Sequence, residues 1–488
     1  MDLIKNLKFK KVLYFFKQIS MIPRNSGNEK EISNYLFKFA KDRNLEVIQD
    51  RYLNIIIKKD ATAGYEDLPA VIIQGHMDMV CVKSDDSNHD FTKDPLELKL
   101  IDNKYIYANN TTLGGDNGIA IAYGLAILDA DDIKHPKLEI VFTTEEETTM
   151  HGAQNLNTDL LEGKILLNID SEEEGIFTLG CAGGILMDSE LLLDFEEIKN
   201  PTYKIEITGL LGGHSGIQAD RKRANANKLM ARLLFELKKE MDINIVSIYG
   251  GDKYNSIPNS CYSKISISEC DENIVKEKCL KIKKIFMDEY KFEDLFINID
   301  KIILKNEKNQ FTKEITNKII DFLVLLPDGI QTMSEDIDGL VESSINLGII
   351  KTEGNKIKFK MDLRSSLKSK LYEIINKIEI ISEIMEFETN KYGEYPEWAY
   401  NSNSKIKDLS VEIYKKLFNI NPIVNALHAG LECGVFKEKL PSDVEIISFG
   451  PNIFDVHTIN EHIDIESVER FYIFLIELLE NIFKIQNN

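Results

Sequence analysis

Histidines and carboxylates follow four short apolar runs in this sequence of 488 residues. The runs and the polar residues after them are 71–73 before His76 and Asp78, 138–142 before Glu145, Glu146 and Glu147, 165–169 before Asp170, and 444–449 before His457. Short apolar runs of this kind are typical of buried strands. Ligands of open α/β sheets bind in the crevice beyond the carboxyl ends of the strands. Imidazoles and carboxylates gathered at such ends predict a metal-dependent hydrolase.

Each polar motif of the sequence, including those around Asp116 and His214, also fits a plain structural role when it is taken alone. Asp116, in a glycine-rich turn, could simply cap a helix, and His214, between glycines, could be an ordinary turn residue. The acidic run 145–147 could be a solvated face, but three acids directly after a buried strand are costly unless a cation neutralises them. Asp78 lies two residues after His76, and metal-bound imidazole usually has its other ring nitrogen held by a carboxylate.

The composition favours an acidic cytoplasmic enzyme. A net charge of −21 argues against nucleic acid as a partner and against anionic membrane surfaces. The longest apolar stretch, 471–479, is too short to span a bilayer, and the N-terminus shows no signal-peptide pattern. The six cysteines form no C-x-x-C pair, so we expect reduced thiols rather than a disulfide framework or a thiolate metal site.

The pattern of strands and helices changes twice along the chain. Up to about residue 184, strand-like runs alternate with helices such as 29–42 (with Ser26 and Asn28 as cap candidates) and 118–128, which predicts a mostly parallel α/β sheet. The middle section alternates at period two between amphipathic helices, which predicts antiparallel strands with helices on one face. If His76 and His457 bind one metal centre, the two ends of the chain form one domain and the middle is an insertion.

Taken together, these segments resemble the di-zinc aminopeptidase/carboxypeptidase superfamily and, within it, the aminoacyl-histidine dipeptidases, also called peptidase D or carnosinase-like. The resemblance covers essentially the whole chain. The segments that carry it are 22–29, 75–80, 89–91, 112–118, 145–147, 212–216 and 428–434. It implies an α/β fold in which a mostly parallel-sheet catalytic domain is discontinuous (1–186 and 393–488) and an α+β lid domain (187–392) is inserted.

The resemblance also implies a role for each matching residue. Two metal ions are held by His76, Asp116, Glu147, Asp170 and His457, with Asp116 shared between them. Asp78 orients His76, Glu146 is the general base, and His214 stabilises the oxyanion. The C-terminal end of the substrate is bound by Asn255, Arg364, Gly430 and Glu432. Members of the superfamily often have a cis peptide after the shared aspartate, which here is the Asp116–Asn117 bond.

The implied activity is hydrolysis of dipeptides of the Xaa-His or carnosine type by two Zn²⁺ ions, with Co²⁺ or Mn²⁺ as acceptable substitutes. A homodimer is a family-level expectation. Tripeptidase action, N-acyl-amino-acid hydrolysis and a non-catalytic peptide-binding role remain open alternatives. The chain departs from the family pattern at Thr148 and Thr149, between residues 450 and 457, and in the tail 458–461. These departures bear on substrate preference, because none of them falls on an implied ligand.

Overall fold

The computed structural model describes residues 7–268, 271–291, 293–303 and 307–485. In chain order, the helices are α1 (Leu7–Ile19), α2 (Lys30–Lys41), α3 (Gly115–Leu128), α4 (Glu146–Thr149), α5 (His151–Asn155), α6 (Ala226–Lys238), α7 (Glu272–Glu289), α8 (Lys313–Leu325), α9 (Lys368–Ile384), α10 (Lys405–Phe418), α11 (Glu432–Lys439) and α12 (Ile465–Glu480). The first strands are β1 (Glu46–Gln49), β2 (Ile55–Lys59), β3 (Val71–His76), β4 (Leu98–Ile101), β5 (Tyr105–Ala108), β6 (Leu138–Thr143), β7 (Ile165–Asn168) and β8 (Ile176–Cys181). The next are β9 (Gly183–Leu192), β10 (Phe195–Glu197), β11 (Thr202–Thr208), β12 (Gly213–His214), β13 (Asn244–Gly250), β14 (Ser256–Ile257), β15 (Cys261–Ser266), β16 (Phe296–Ile302) and β17 (Asn309–Phe311). The last are β18 (Gly329–Met333), β19 (Val341–Glu353), β20 (Lys356–Ser365), β21 (Glu388–Tyr395), β22 (Ile423–Leu427), β23 (Glu445–Ser448), β24 (Ile453–Phe454) and β25 (His462–Asp464).

The chain divides into two compact units. Unit 1 comprises the described residues within 1–180, 400–426 and 431–488, and unit 2 comprises those within 181–399 and 427–430. His76 and His457, which are far apart in sequence, both belong to unit 1.

Unit 1 is built on an eight-stranded sheet with the order β1-β2-β6-β3-β7-β23-β8-β22. The four central strands, β6, β3, β7 and β23, are parallel, as the alternation of strands and helices predicts. Next to them, β1, β2 and β6 pair antiparallel, and so do β23 and β8. The α/β fold class is therefore confirmed, with a parallel centre and antiparallel flanks. The flank at β1 and β2 follows from the short turn between them, because only antiparallel neighbours can be joined so tightly.

Of two helix starts in unit 1 that the sequence analysis addressed, the first differs from the prediction and the second agrees with it. α2 begins at Lys30, and Glu29 precedes it without a side-chain cap bond, so neither Ser26 nor Asn28 is the cap. The Ser26 hydroxyl instead donates to Asp78 Oδ2 at 2.8 Å, because the fold brings a more strongly accepting carboxylate within reach. At the start of α3, Asp116 and Asn117 have non-helical backbone angles, and the peptide bond between them is cis, as expected.

Unit 2 contains a nine-stranded sheet with the order β16-β11-β15-β13-β19-β20-β9-β21, to which β18 is added beside β19. The pairings are antiparallel, as the period-two alternation predicts. Buried residues of α6, α7, α8 and α9 form one hydrophobic cluster with alternate residues of the strands. Within the described ranges of the chain, no helix combines the length and the apolar character that crossing a bilayer requires.

Candidate metal centre

The strand order of unit 1 brings three of the predicted polar clusters to one edge of the sheet. β3 lies between β6 and β7, and all three run parallel, so their carboxyl ends meet. His76 ends β3, Glu146 begins α4 after β6, and Asp170 follows β7. The His76 Nε2 atom lies 3.4 Å from Asp170 Oδ1 and 4.0 Å from Glu146 Oε2.

Asp116 lies between the two predicted histidine ligands. Its Oδ1 is 3.0 Å from His76 Nε2, and its Oδ2 is 3.2 Å from His457 Nε2. The same His457 nitrogen is 3.1 Å from Glu147 Oε1. The cluster therefore has two halves that share Asp116, one with His76 and Asp170 and the other with His457 and Glu147. All five predicted ligands are brought together.

His457 reaches this cluster from a loop between β24 and β25. Its backbone has a φ of 62°, in the left-handed region that residues other than glycine seldom adopt. Its side chain is 47% exposed, whereas the side chains of the other four residues are between 1% and 11% exposed. Four of the five side chains are thus enclosed, and His457 is the one that is open to solvent.

The cluster carries an excess of negative charge. Asp116, Glu146, Glu147 and Asp170 surround two histidines, and no lysine or arginine of the described chain forms an ion pair with any of the four. Burial raises the pKa of Glu147 and of Asp170. Hydrogen bonds to Asp116 and Glu147 raise the pKa of His457 to about 11. The raised pKa values mean that these groups hold protons more tightly than usual. Imidazole and carboxylate groups at these distances fit divalent ions, whose positive charge would take the place of such protons.

The acidic run after β6 is held by Asp78. Asp78 Oδ1 accepts a hydrogen bond from the backbone N–H of Glu146 at 3.1 Å, and Oδ2 accepts one from Glu147 at 3.2 Å. Asp78 Oδ1 also lies 3.3 Å from His76 Nδ1. Glu145 precedes α4 with a φ of 55°, in the left-handed region, and its backbone N–H donates to Glu29 Oε1 at 3.1 Å instead of to Asp78. Burial raises the pKa of Glu146, and the neighbouring Asp170 and Glu147 raise it further, although His76 opposes them.

Arg24 was not predicted as a functional residue, yet it joins two of the ligand-bearing loops. Its side chain is 1% exposed. Nη1 donates to the carbonyl oxygens of Met77 at 3.0 Å and Asp78 at 3.1 Å, and Nη2 donates to that of Gly114. The only sequence signal was that Arg24 falls in the segment 22–29, which matches the family without an assigned role.

Glu461 is a second residue that the sequence did not identify. Its carboxylate accepts hydrogen bonds from the backbone N–H groups of Leu113, Gly114, Gly115 and Asp116, at distances from 2.7 to 3.3 Å. Burial raises the pKa of Glu461 to about 7 despite these bonds. Glu461 therefore holds the turn that carries the shared ligand. The sequence placed it only in a tail that departs from the family pattern.

Glu432 does not lie where the predicted substrate-binding role requires. Its side chain is 0% exposed inside unit 1, where Gln74 and Thr143 donate hydrogen bonds to it. Contact with a substrate needs an accessible group, so the prediction for Glu432 is wrong. The error arose because position in a motif that resembles the family does not reveal which way a side chain points.

The remaining predicted residues lie in unit 2, where two of them, His214 and Arg364, meet at Gly216 together with His428. A Cβ atom at Gly216 would lie 2.6 Å from the His428 carbonyl oxygen, 3.2 Å from Arg364 Nη1 and 3.2 Å from His214 Cε1. Gly430 follows His428 in the same unit and is half-buried. Asn255 is distant in sequence but is held beside this turn, since its carbonyl oxygen accepts from the backbone N–H of Ser215 at 3.0 Å.

The hydrogen bonds of His214 determine which ring nitrogen carries the proton. The backbone N–H groups of Gly216 and Ile217 donate to Nδ1 at 3.0 and 3.1 Å. Burial lowers the pKa of His214, and Arg364 lowers it further, so the ring is neutral with its proton on Nε2. Nε2 is therefore available as a donor.

Arg364, which was predicted to bind the C-terminal end of the substrate, already has a partner within the protein. Asp362 Oδ2 already accepts from Arg364 Nε at 3.0 Å and lies 2.9 Å from Nη2. One edge of the guanidinium is thus occupied within the protein, and the Nη1 side remains for a ligand. The sequence could not show this, because Asp362 and Arg364 lie on the same strand as ordinary period-two neighbours.

Comparisons with known proteins agree with this geometry. The family model described as peptidase family M20/M25/M40 matches residues 72–481. The chain is 36% identical over 471 residues to the cytosol non-specific dipeptidase of Escherichia coli strain K12, covering 96% of both chains. The crystal structure of aminoacylhistidine dipeptidase from Vibrio alginolyticus matches with a TM-score of 0.89 and 34% identity, covering 96% of both chains. A tripeptidase structure from Staphylococcus aureus matches with a TM-score of 0.57 and 15% identity, covering 98% of this chain and 99% of its own, and shares the fold.

Proposed function

This chain belongs to the M20/M25/M40 family of metallopeptidases, and from that premise we propose that it hydrolyses dipeptides, including those of the Xaa-His type. The proposal is supported by relatives named as dipeptidases that match 96% of the chain at 36% and 34% identity. The observation that carries it is the position of Asp116 between His76 and His457. A carboxylate in contact with both histidines could serve as a ligand common to two metal ions.

We assign the metal ligands as the sequence predicted: His76, Asp116, Glu147, Asp170 and His457. Nitrogen and oxygen donors without cysteine suit Zn²⁺ and also accept Co²⁺ or Mn²⁺. When bound, such ions supply the positive charge that acidifies a water molecule and polarises the scissile carbonyl. The unsatisfied negative charge of the four carboxylates supports this assignment, because protons on His76 and His457 balance it only in part.

Glu146 is proposed as the general base. Its raised pKa suits a group that first accepts the proton of the attacking water and then passes it to the leaving amine. Asp78 fixes the backbone of Glu146, so the carboxyl group reaches the cluster in a defined position. The backbone N–H of Glu145 donates instead to Glu29 Oε1 at 3.1 Å, which supports the predicted register of the three acids.

Residues of unit 2 are proposed to bind and polarise the substrate. Nε2 of His214 donates to the developing oxyanion, a role for which its tautomer is already set. Arg364 Nη1, Asn255 and Gly430 bind the C-terminal end of the dipeptide. We accordingly propose that unit 1 is the catalytic domain and unit 2 the lid, that two chains form a dimer, and that the enzyme works in the cytoplasm, as the name of the Escherichia coli relative suggests.

A substrate panel with a controlled metal content tests this function. The purified chain is stripped with a chelator, reloaded with Zn²⁺, Co²⁺ or Mn²⁺, and assayed on Xaa-His dipeptides, other dipeptides, tripeptides and N-acyl amino acids. We expect hydrolysis of dipeptides only after reloading, with an optimum near two ions per chain. A preference for tripeptides or N-acyl amino acids would replace the dipeptidase assignment. Metal binding without hydrolysis of any substrate would indicate a non-catalytic peptide-binding protein.

A further inference from the structure

A layer of buried polar side chains lies in the core of unit 1 beneath the metal ligands. Gln74, Thr143, Asn168 and Glu432 are each 0% exposed. Gln74 on β3 is the register partner of Asn168 on β7, and Thr143 on β6 is the register partner of His76. Four polar side chains in an apolar sheet are costly to bury unless they bond to each other.

Glu432 is the hub of this layer. Gln74 Nε2 donates to Glu432 Oε2 at 2.5 Å, and Thr143 Oγ1 donates to the same oxygen at 2.6 Å. Asn168 Nδ2 donates to Gln74 Oε1 at 2.6 Å. The first residue of α11 thus ties together side chains from three adjacent parallel strands.

The layer lies one step below the residues that we assign to the chemistry. Gln74 precedes His76 by two positions on β3, and side chains two positions apart in a strand point to the same face. Asn168 precedes Asp170 by two positions at the end of β7, and Thr143 ends the strand that leads into Glu146. A change in the spacing of the layer would therefore be transmitted directly to the ligands and to the base.

The bonding pattern indicates that Glu432 acts through its hydrogen bonds. Glu432 Oε1 and Asn168 Oδ1 are both buried without a hydrogen-bond partner in the described part of the chain, and no described cation forms an ion pair with Glu432. A proton on Oε1 would turn one of these two unpartnered acceptors into a donor. Burial raises the pKa of Glu432 to about 8, in agreement with an uncharged acid.

We propose that Glu432 is a positioning residue, which sets the spacing of His76, Glu146 and Asp170 through hydrogen bonds to Gln74 and Thr143 and not through a negative charge. The proposal rests on the proposed function for the roles of the three residues that it positions. It assigns no contact between Glu432 and substrate or metal. Its consequence is that an uncharged side chain with the same hydrogen-bonding shape should replace it.

Two substitutions separate hydrogen bonding from charge and from packing. Glu432→Gln retains an oxygen that accepts from Gln74 and Thr143 and adds an N–H₂ group, whereas Glu432→Leu retains volume and removes all bonding. We expect Glu432→Leu to weaken Zn²⁺ affinity about 10- to 100-fold, in the range of second-layer substitutions at metal sites. It should lower kcat at saturating Zn²⁺ with little change in KM. Glu432→Gln should stay within about threefold of the unmodified protein in Zn²⁺ affinity and kcat, because the hydrogen bonds from Gln74 and Thr143 are retained.

The measurements are Zn²⁺ affinity by competition with a chromogenic chelator, kcat and KM on a dipeptide, and the acid limb of the pH profile. Glu438→Gln, an exposed acid on the same helix, is the matched control and should change none of them. Loss in Glu432→Gln equal to that in Glu432→Leu, or a displaced acid limb in Glu432→Gln, would show that charge matters and overturn the proposal. Unchanged Zn²⁺ affinity and kcat in Glu432→Leu would show that the layer contributes packing alone and would overturn the proposal.

Thr143→Val provides the test if Glu432→Leu fails to fold. It removes one bond to Glu432 and keeps the shape of the side chain, so a weaker Zn²⁺ affinity is expected and an unchanged one contradicts the proposal. Zn²⁺ affinity is measured without substrate. If the unmodified protein binds Zn²⁺ and cleaves no dipeptide, the proposed function fails while the result for the layer still stands.

Discussion

The carboxylate of Asp78 accepts a hydrogen bond from the backbone N–H of Glu146, with 3.1 Å between the nitrogen and Oδ1. The other oxygen, Oδ2, accepts from the backbone N–H of Glu147 and from the Ser26 hydroxyl. Asp78 was predicted only as the group that orients His76. The structure gives it a second task, because the same buried carboxylate also holds the turn on which the base and a metal ligand lie.

Replacement of Asp78 should therefore affect metal binding and catalysis together. Asp78→Ala leaves the N–H groups of Glu146 and Glu147 without their acceptor and frees the His76 ring. We expect Zn²⁺ affinity to fall about 10- to 100-fold and kcat to fall further at saturating Zn²⁺. Chelator competition and steady-state kinetics measure the two effects. Asp85→Ala, an exposed acid in the following loop, should behave as the unmodified protein. A loss confined to metal affinity would limit Asp78 to the orientation of His76.

The three successive glutamates should respond differently to the same substitution. Glu146→Gln should lower kcat at least about 10²-fold, the usual minimum for a general base, and leave the number of bound ions unchanged. Glu145→Gln is the matched control and should retain nearly full activity. Activity assays and metal analysis of each purified variant give the answer. If Glu145→Gln is the inactive variant, the register of the acidic run is shifted by one residue.

The family resemblance implied the five ligands, and residue types and spacing indicated where several of them would meet, because His76 ends a buried strand and Glu147 and Asp170 come shortly after two others. The signal at these positions is local: an apolar run predicts a strand, and its carboxyl end in a parallel sheet predicts the edge where the site forms. His76, Asp170 and the acids after β6 meet for this reason. The same logic predicted the parallel centre of the sheet in unit 1 and the antiparallel sheet of unit 2.

The supporting residues could not be predicted in the same way, because their partners are distant in sequence. Glu461 bonds to Leu113 through Asp116, and Arg24 bonds to Gly114, across separations that no local pattern reveals. Glu432 was assigned to substrate binding from its motif alone, but its carboxylate is buried and accepts hydrogen bonds from Gln74 and Thr143 of the central sheet. Local spacing thus identifies which groups can do chemistry, while tertiary packing selects the groups that hold them.

Glu461 should be essential for the turn that carries Asp116. Glu461→Gln replaces one acceptor oxygen by an N–H₂ group that faces backbone donors, so at least one buried N–H loses its partner. Each lost partner costs about 1–3 kcal/mol, and we expect a lower melting temperature together with weaker Zn²⁺ binding. Thermal unfolding with and without Zn²⁺ measures both. Glu466→Gln, exposed in the first turn of α12, serves as control. Full Zn²⁺ affinity in Glu461→Gln would show that the turn is held by other bonds.

Asp328 in unit 2 should make the stability of the protein depend on pH. Burial raises its pKa from 3.8 to about 6, although hydrogen bonds from the Leu347 N–H and Asn225 oppose the shift. A raised folded-state pKa means that the stabilisation is complete below pH 3.8 and is lost as the pH rises through about 6. The change amounts to about 3 kcal/mol at most. Asp328→Asn keeps an acceptor for both bonds and has no charge to bury.

Denaturant unfolding of the protein and of Asp328→Asn at several values between pH 4 and pH 8 isolates this contribution. The variant should gain stability relative to the unmodified protein as the pH rises to 6 and then keep a constant difference. The exposed Asp336→Asn should follow the unmodified protein throughout. A difference between Asp328→Asn and the unmodified protein that is independent of pH would mean that Asp328 ionises normally in the folded state.

His214 should act on the chemical step and leave the metal site unchanged. Its Nδ1 accepts from two backbone N–H groups, so its proton is on Nε2, and its lowered pKa keeps the ring neutral at pH 7. Loss of one oxyanion donor lowers kcat about 10²- to 10³-fold, and we expect this range for His214→Ala with an unchanged metal content. Ile217→Ala, at a 62% exposed side chain in the same turn, keeps the backbone donor and should retain activity. A larger effect of His214→Ala on KM than on kcat would assign the residue to substrate binding, since an oxyanion donor contributes mainly in the transition state.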